Sequence, residues 1–126
     1  MDRLYFVPID LKQNGIAIKR DAVQVQHCFS KGHFCQLKFN NGEKFDFQDC
    51  IQYFDKLVAE RGYIRIHQSH IVELEKIVRI AYEKAWLENG DDVPVSRLIQ
   101  DWLKNYLAQK HNPKKEDNLP PIPPFD

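Results

Sequence analysis

Two Asn-Gly dipeptides, Asn41-Gly42 and Asn89-Gly90, limit the ways this chain can fold more than any other feature. Asn and Gly tolerate the positive φ angles of tight hairpin turns, so a strand entering such a pair leaves it antiparallel to itself. Leu37 and Phe39 precede the first pair and Phe45 and Phe47 follow it, each alternating with polar residues. The second pair closes KIVRIAYEKAWLENGDDVPV, which reads as further strands.

The remaining segments extend this β pattern. RLYFVPID reads as a strand whose Pro8 places it at a sheet edge, because proline has no N–H for a ladder. GIAIKRDAVQVQHCF sets Val23 and Val25 against Gln24 and Gln26, as in a sheet with one wet face. SKGHF follows as a polar loop with Gly32 at its middle. In YIRIHQSHIVELEKIVRI, Ile64 and Ile66 alternate with Arg65 and His67, and the apolar run resumes at Ile71 and Val72. The polar knot His67-Gln68-Ser69-His70 is therefore expected at a strand end, facing outwards.

Two segments change period. Ile51, Phe54, Leu57 and Val58 form a helical stripe with Asp49 as its N-cap and Gly62 as its stop. Ser96 caps a last helix in which Leu98, Ile99, Trp102, Leu103, Tyr106 and Leu107 share a face, and Pro113 marks its limit. The class is mainly β with one central and one C-terminal helix. A domain over residues 1–110 is expected, followed by a charged, proline-rich tail over 111–126.

Composition narrows the function. The length of 126 residues suits a binding module better than a multi-step enzyme with its own cofactor-binding domain. Formal net charge is zero, so a nucleic-acid partner has to be recognised by local arrangement rather than by bulk attraction. Apolar runs too short to cross a bilayer, and a start unlike a cleavable signal, lead us to expect a cytoplasmic protein. Cys28, Cys35 and Cys50 form no CxxC pair and leave an odd thiol in any disulfide scheme, which suits a reducing compartment; they are expected to be small half-buried residues.

Enzyme signatures are weak. None of the five glycines falls in a GxGxxG or GxxxxGK phosphate loop. His67 and His70 form a His-x-x-His pair to which His33 could be added, but positions i and i+3 of an extended segment point to opposite faces and no carboxylate or cysteine is spaced to complete a shell. Ser69 stands beside histidines without a nucleophile-elbow pattern. No metal, cofactor or covalent chemistry is expected.

Donor chemistry points elsewhere. His33, Gln68 and Arg97 fall at loops or element ends and can present donors outwards. Gln suits adenine, while Arg and His suit guanine acceptors. Lys31, Ser96 and His70 beside them are suitable phosphate partners.

The order YIRIHQSHIV, KIVRI, ENGDDVPVSR and a closing helix resembles the LytTR DNA-binding domain family, whose hallmark is an aromatic, an Arg-x-His-x-Ser segment, an apolar strand, a turn and a vSR element. The resemblance covers roughly residues 2–109. It implies a bacterial transcription regulator built of small packed antiparallel sheets, whose loops enter the major groove of double-stranded DNA, commonly at direct repeats in promoters. Carried over, the base-reading positions are His33, Gln68 and Arg97. Lys31, Ser69, His70 and Ser96 would support loops or touch the backbone, and His67 would be a structural member on the inner side of its strand. Two positions depart from the pattern: Glu73 follows Val72 where the family carries Asn, and Gln68 replaces a more usual Arg or Lys. The 126 residues include neither a receiver nor a membrane sensor, so the chain is expected to be a free-standing regulator or a fragment of a longer one. A monomer that pairs on DNA is expected. A module that keeps the fold without DNA recognition, and binds protein through Trp102 and Tyr106 or through the tail, is the alternative.

Overall fold

In a computed structural model of the chain, residues 7–13 and 16–110 are described. The expected tail and the Pro113 boundary lie outside these residues. The strands are β1 (Pro8–Gln13), β2 (Ile16–Asp21), β3 (Val25–Lys31), β4 (Phe34–Phe39), β5 (Lys44–Phe47), β6 (Tyr63–His67), β7 (His70–Glu73), β8 (Ile77–Ala81), β9 (Lys84–Leu87) and β10 (Asp92–Pro94). The helices are α1 (Ile51–Leu57), between β5 and β6, and α2 (Arg97–Lys110) after β10. Seven strands form one sheet in the order β2-β1-β5-β4-β3-β7-β6, and β10-β9-β8 form a second. The mainly β class with one central and one C-terminal helix is what the sequence predicts.

The described residues divide between two compact units. The first runs to Arg65 and also takes in Ser69–Leu74; the second takes Ile66–Gln68 and continues from Glu75. The core of the first unit gathers Leu11, Val25, Leu37, Phe39, Phe54 and Ile71, each at most 1% exposed. Phe54 meets Phe47 and Tyr63 edge-on, at centroid distances of 6.1 Å and 6.2 Å, the geometry that aromatic quadrupoles favour. In the second unit Ile77, Leu87, Val93, Ile99 and Leu103 are buried, and α2 packs against β8.

The two Asn-Gly turns share one construction. Asn41 Oδ1 accepts the Glu43 N–H at 3.0 Å, and Asn89 Oδ1 accepts the Asp91 N–H at 2.9 Å. Only the glycines take positive φ, +93° at Gly42 and +95° at Gly90, so each loop is wider than the two-residue turn that Asn-Gly suggests. Phe39 N–H donates to Glu43 C=O, and Leu87 N–H donates to Asp91 C=O, closing each loop.

Several expectations are corrected. The strand containing Pro8 is not an edge: β1 lies between β2 and β5, and β2 is the edge. Pro8 is tolerated because it is the first strand residue and β5 pairs with β1 only at Lys12 and Asp46, so no ladder needs its N–H. The 16–28 alternation is interrupted by a 3-10 turn at Ala22–Gln24, held by Asp21 Oδ1, which accepts from Val23 N–H at 3.2 Å and Val7 N–H at 3.0 Å. Gln26 is buried rather than wet, because an irregularity between Val25 and His27 shifts the pairing with β4 and breaks the period of two.

In α1 the N-cap is Cys50, not Asp49. Asp49 Oδ1 satisfies the Cys50 N–H at 2.9 Å, so its carboxylate is used one residue before the helix. The helix stops at Val58, and Gly62, at φ +89°, serves the following turn instead. Leu98 drops out of the α2 stripe and is 65% exposed. Cys28 and Cys35 are fully buried on β3 and β4, while Cys50 is exposed. A hydrogen bond with Cys35, then burial, pushes the Cys28 thiol up and keeps it protonated.

Tyr63 ties β6 to the start of β3. Its hydroxyl reaches the carbonyls of Val25 and, at 3.2 Å, Ala22, where the chain turns into that strand. Burial, reinforced by Glu73 and Asp21, holds its ionisation well above the ordinary tyrosine range, so the group remains a donor. Tyr63→Phe removes that donor from part-buried acceptors and is expected to cost about 1–3 kcal/mol. In urea the midpoint falls with the slope unchanged; an unaltered midpoint refutes this anchoring role.

Candidate nucleic-acid interface

The polar knot between Ile66 and Ile71 is the bend of a hairpin. β6 ends at His67, Gln68 and Ser69 make the turn, and β7 begins at His70. Gln68 is exposed. His67 is half-buried and alternates with the buried Ile64 and Ile66, so it lies on the opposite strand face from them and not on the inner face expected.

In the first unit, Lys31 and Phe34 pair across a two-residue turn, Gly32-His33. Gly32 has φ +80°, which a side chain would resist, and Lys31 and His33 are both exposed. Beside this turn, Ser30 N–H donates to Ser69 C=O at 2.8 Å, which brings the Lys31–His33 bend next to Ser69. His70 pairs with Phe29 across β3 and β7 and stacks on its ring at 4.8 Å. His70 Nδ1 lies 2.8 Å from His27 Nε2, so one imidazole donates to the other. His70 is thus held against the sheet by Phe29 and His27.

In the second unit, Ser96 N–H donates to Ile66 C=O at 2.7 Å, which sets the start of α2 beside the strand that leads into Gln68. Ser96 Oγ accepts the Leu98 N–H at 3.3 Å, the N-cap that the sequence predicts. Arg97 follows with its side chain 87% exposed, and its Nε lies 3.6 Å from Glu83 Oε2.

Sequence reasoning missed the turn that supplies Glu83. Tyr82 and Glu83 link β8 to β9 with φ of +54° and +60°, the left-handed pair of a type I′ turn that normally takes Asn and Gly. Bulky residues there cost about 1–3 kcal/mol each. Tyr82 is 88% exposed. The only available signal was AYEK between two strands with neither Gly nor Asn at the bend, which reads as continuous strand.

Other readings find less support. Trp102 is 8% exposed and stacks on the half-buried Tyr106 at 5.7 Å, so the aromatic surface expected on α2 is largely inside the fold. Among the described residues, no group of three or more His, Cys, Asp or Glu is placed to hold a metal. No helix among them is long and apolar enough to cross a membrane. A cavity of about 350 Å³ beside β1, β5 and α1 has Asp10 and Asp49 in its wall, but Lys19 pairs with Asp10 at 2.8 Å and Asp49 is turned to Cys50.

Because Ser96 caps α2, Ser96→Ala is expected to destabilise the protein by about 0.5–2 kcal/mol. Amide exchange should rise first at Leu98 and Ile99; unchanged protection there rules out the cap.

Comparison with known proteins bears on the family and the fold. The model of the LytTr DNA-binding domain matches residues 18–108. A solved LytTr DNA-binding domain, assigned to a methyl-accepting/DNA response regulator from Bacillus cereus, superposes with a TM-score of 0.62 at 22% identity, covering 82% of this chain and 94% of that one. No match was found among curated proteins. With its family model spanning both the hairpin turns and the start of α2, the chain belongs to the LytTR family of DNA-binding domains.

Proposed function

We propose that this protein is a sequence-specific transcription regulator that inserts turns into the major groove of promoter DNA, with direct repeats as its target, as the family resemblance implies. His33, Gln68 and Arg97 read base edges. Lys31, Ser69, His70 and Ser96 position the backbone, Lys31 by charge and His70 by holding its loop through His27 and Phe29.

The observation that carries this reading is the Ser96–Ile66 backbone hydrogen bond. It brings an exposed arginine at a helix start beside the strand whose next residues are His67 and the exposed Gln68. Arginine matches the O6 and N7 acceptors of guanine, and glutamine matches the N6 and N7 edge of adenine. The Lys31–His33 bend, beside Ser69, offers a second set of exposed donors in the first unit. Neutral net charge lends no support of its own, so binding rests on local donors rather than on a general attraction to phosphate. A monomer in solution that pairs on repeated sites completes the proposal. A protein partner held through α2 is disfavoured by the burial of Trp102.

Selection of duplexes from a random pool, then titration of the winner and its single-base variants at two salt concentrations, tests the reading. Gln68→Ala and Arg97→Ala should each relax preference at one base pair by about 1–3 kcal/mol. Lys31→Ala should weaken binding to all duplexes alike and lower the salt slope by about one. Failure of any sequence to enrich overturns the proposal.

A further inference from the structure

Glu83 stands apart from the donors assigned above, being an acid beside an arginine expected to meet polyanionic DNA. Three observations fix it there. Its backbone takes a left-handed φ of +60° that a glutamate adopts reluctantly. Its carbonyl accepts the Val95 N–H at 3.0 Å, which extends the Lys84–Pro94 pairing by one residue and sets Glu83 opposite the chain leading to Arg97. Its carboxylate Oε2 then lies 3.6 Å from Arg97 Nε.

We infer that Glu83 is a positioning residue for base recognition: from the strained Tyr82-Glu83 turn it engages Arg97 through Nε and so directs the two Nη groups outwards as a fork for a guanine edge. This rests on the reading of Arg97 as a base contact. The chemistry follows from the shape of the guanidinium. Recognition of guanine O6 and N7 uses two parallel N–H groups, and an acceptor on the Nε side leaves the Nη end available while limiting the rotamers of an otherwise exposed side chain. Both side chains are exposed, at 87% and 60%, so the pair adds little to fold stability and its effect falls on orientation. Charge adds a second effect. A carboxylate at this place repels phosphate wherever the protein lands on DNA, and that cost is offset only where Arg97 finds its base. Glu83 thus lowers non-specific binding while sharpening specific binding, a difference of affinities obtained partly by repulsion. The strain in the turn is consistent with this role, since Asn-Gly would make an easier bend but supply no carboxylate.

The test uses the full chain, the duplex selected by the unaltered protein, every single-base-pair variant of that duplex, and a scrambled duplex. Arg97→Ala identifies the base pair that Arg97 reads. Glu83→Ala should lower preference at that same base pair by about two- to fivefold, leave the other positions unchanged, and raise affinity for the scrambled duplex. Tyr82→Asn combined with Glu83→Gly keeps the experiment interpretable if the single variant folds poorly: it should raise the melting temperature by relieving the turn, yet show the same selective loss. If either Glu83 variant changes affinity for every duplex by one common factor, Glu83 acts only as a charge and the inference fails while the DNA reading stands. If Arg97→Ala leaves every base preference intact, the base-reading role of Arg97 fails, and the inference with it.

Discussion

Strand register is the constraint on which the rest of this domain depends. Successive side chains on a strand point to opposite faces, so a slip of one residue would move Leu37 and Phe39, or Ile64 and Ile66, from core to solvent. The turns prevent that slip. In the Asn41-Gly42 and Asn89-Gly90 loops an asparagine side chain accepts a backbone N–H two residues on, and a glycine supplies the single left-handed residue that closes the bend. With register set there, the buried faces are set too, and the polar residues left over gather at the bends.

That division leaves, in each unit taken by itself, exposed polar side chains at the bends of a chain of zero net charge. Exposed donors also occur on strands, at Lys19, Lys44, Arg79 and Lys84, but those proposed to read bases lie at bends and an element end. In the first unit these are at the Gly32-His33 turn; in the second they are at the bend beginning with Gln68 and at the first residue of α2. The two hydrogen bonds that tie these places to their neighbours, Ser30 to Ser69 in the first unit and Ser96 to Ile66 in the second, are both main-chain. Side chains at such sites can change with little effect on the fold, which is the arrangement expected where specificity varies over a constant scaffold.

Three residues of types that suggest metal or redox chemistry when read in one dimension, His70, Cys28 and Cys35, are absorbed by packing, whereas His33 and Cys50 are exposed. His70 lies on Phe29 and faces His27, so its first partners are within the sheet. Cys28 and Cys35 are interior residues of β3 and β4; interaction with Cys35 and burial push the Cys28 thiol up, away from a thiolate nucleophile. Residue type announced reactivity here, and environment removed it.

The mainly β class, both Asn-Gly hairpins, the Ser96 cap and the buried face of α2 at Ile99, Leu103 and Leu107 were legible in the sequence, because each follows from short-range rules of periodicity, capping and turn chemistry. So were His33, Gln68 and Arg97 as exposed donors at bends, since polar residues between apolar runs have nowhere to go but out. Other features depended on pairing. The place of β1 inside its sheet and the burial of Gln26 at an irregularity in β3 are decided by which strand lies alongside, and partners distant in sequence leave no local pattern. The Tyr82-Glu83 turn is the clearest case: no local preference favours a left-handed tyrosine and glutamate, and they are held there because β8 and β9 must pair while Val95 and Arg97 meet Glu83 from the far side of that sheet's last hairpin. Local chemistry determined the elements and their exposed donors; tertiary pairing alone decided which of them meet, since those hydrogen bonds join residues that the chain brings together only after folding.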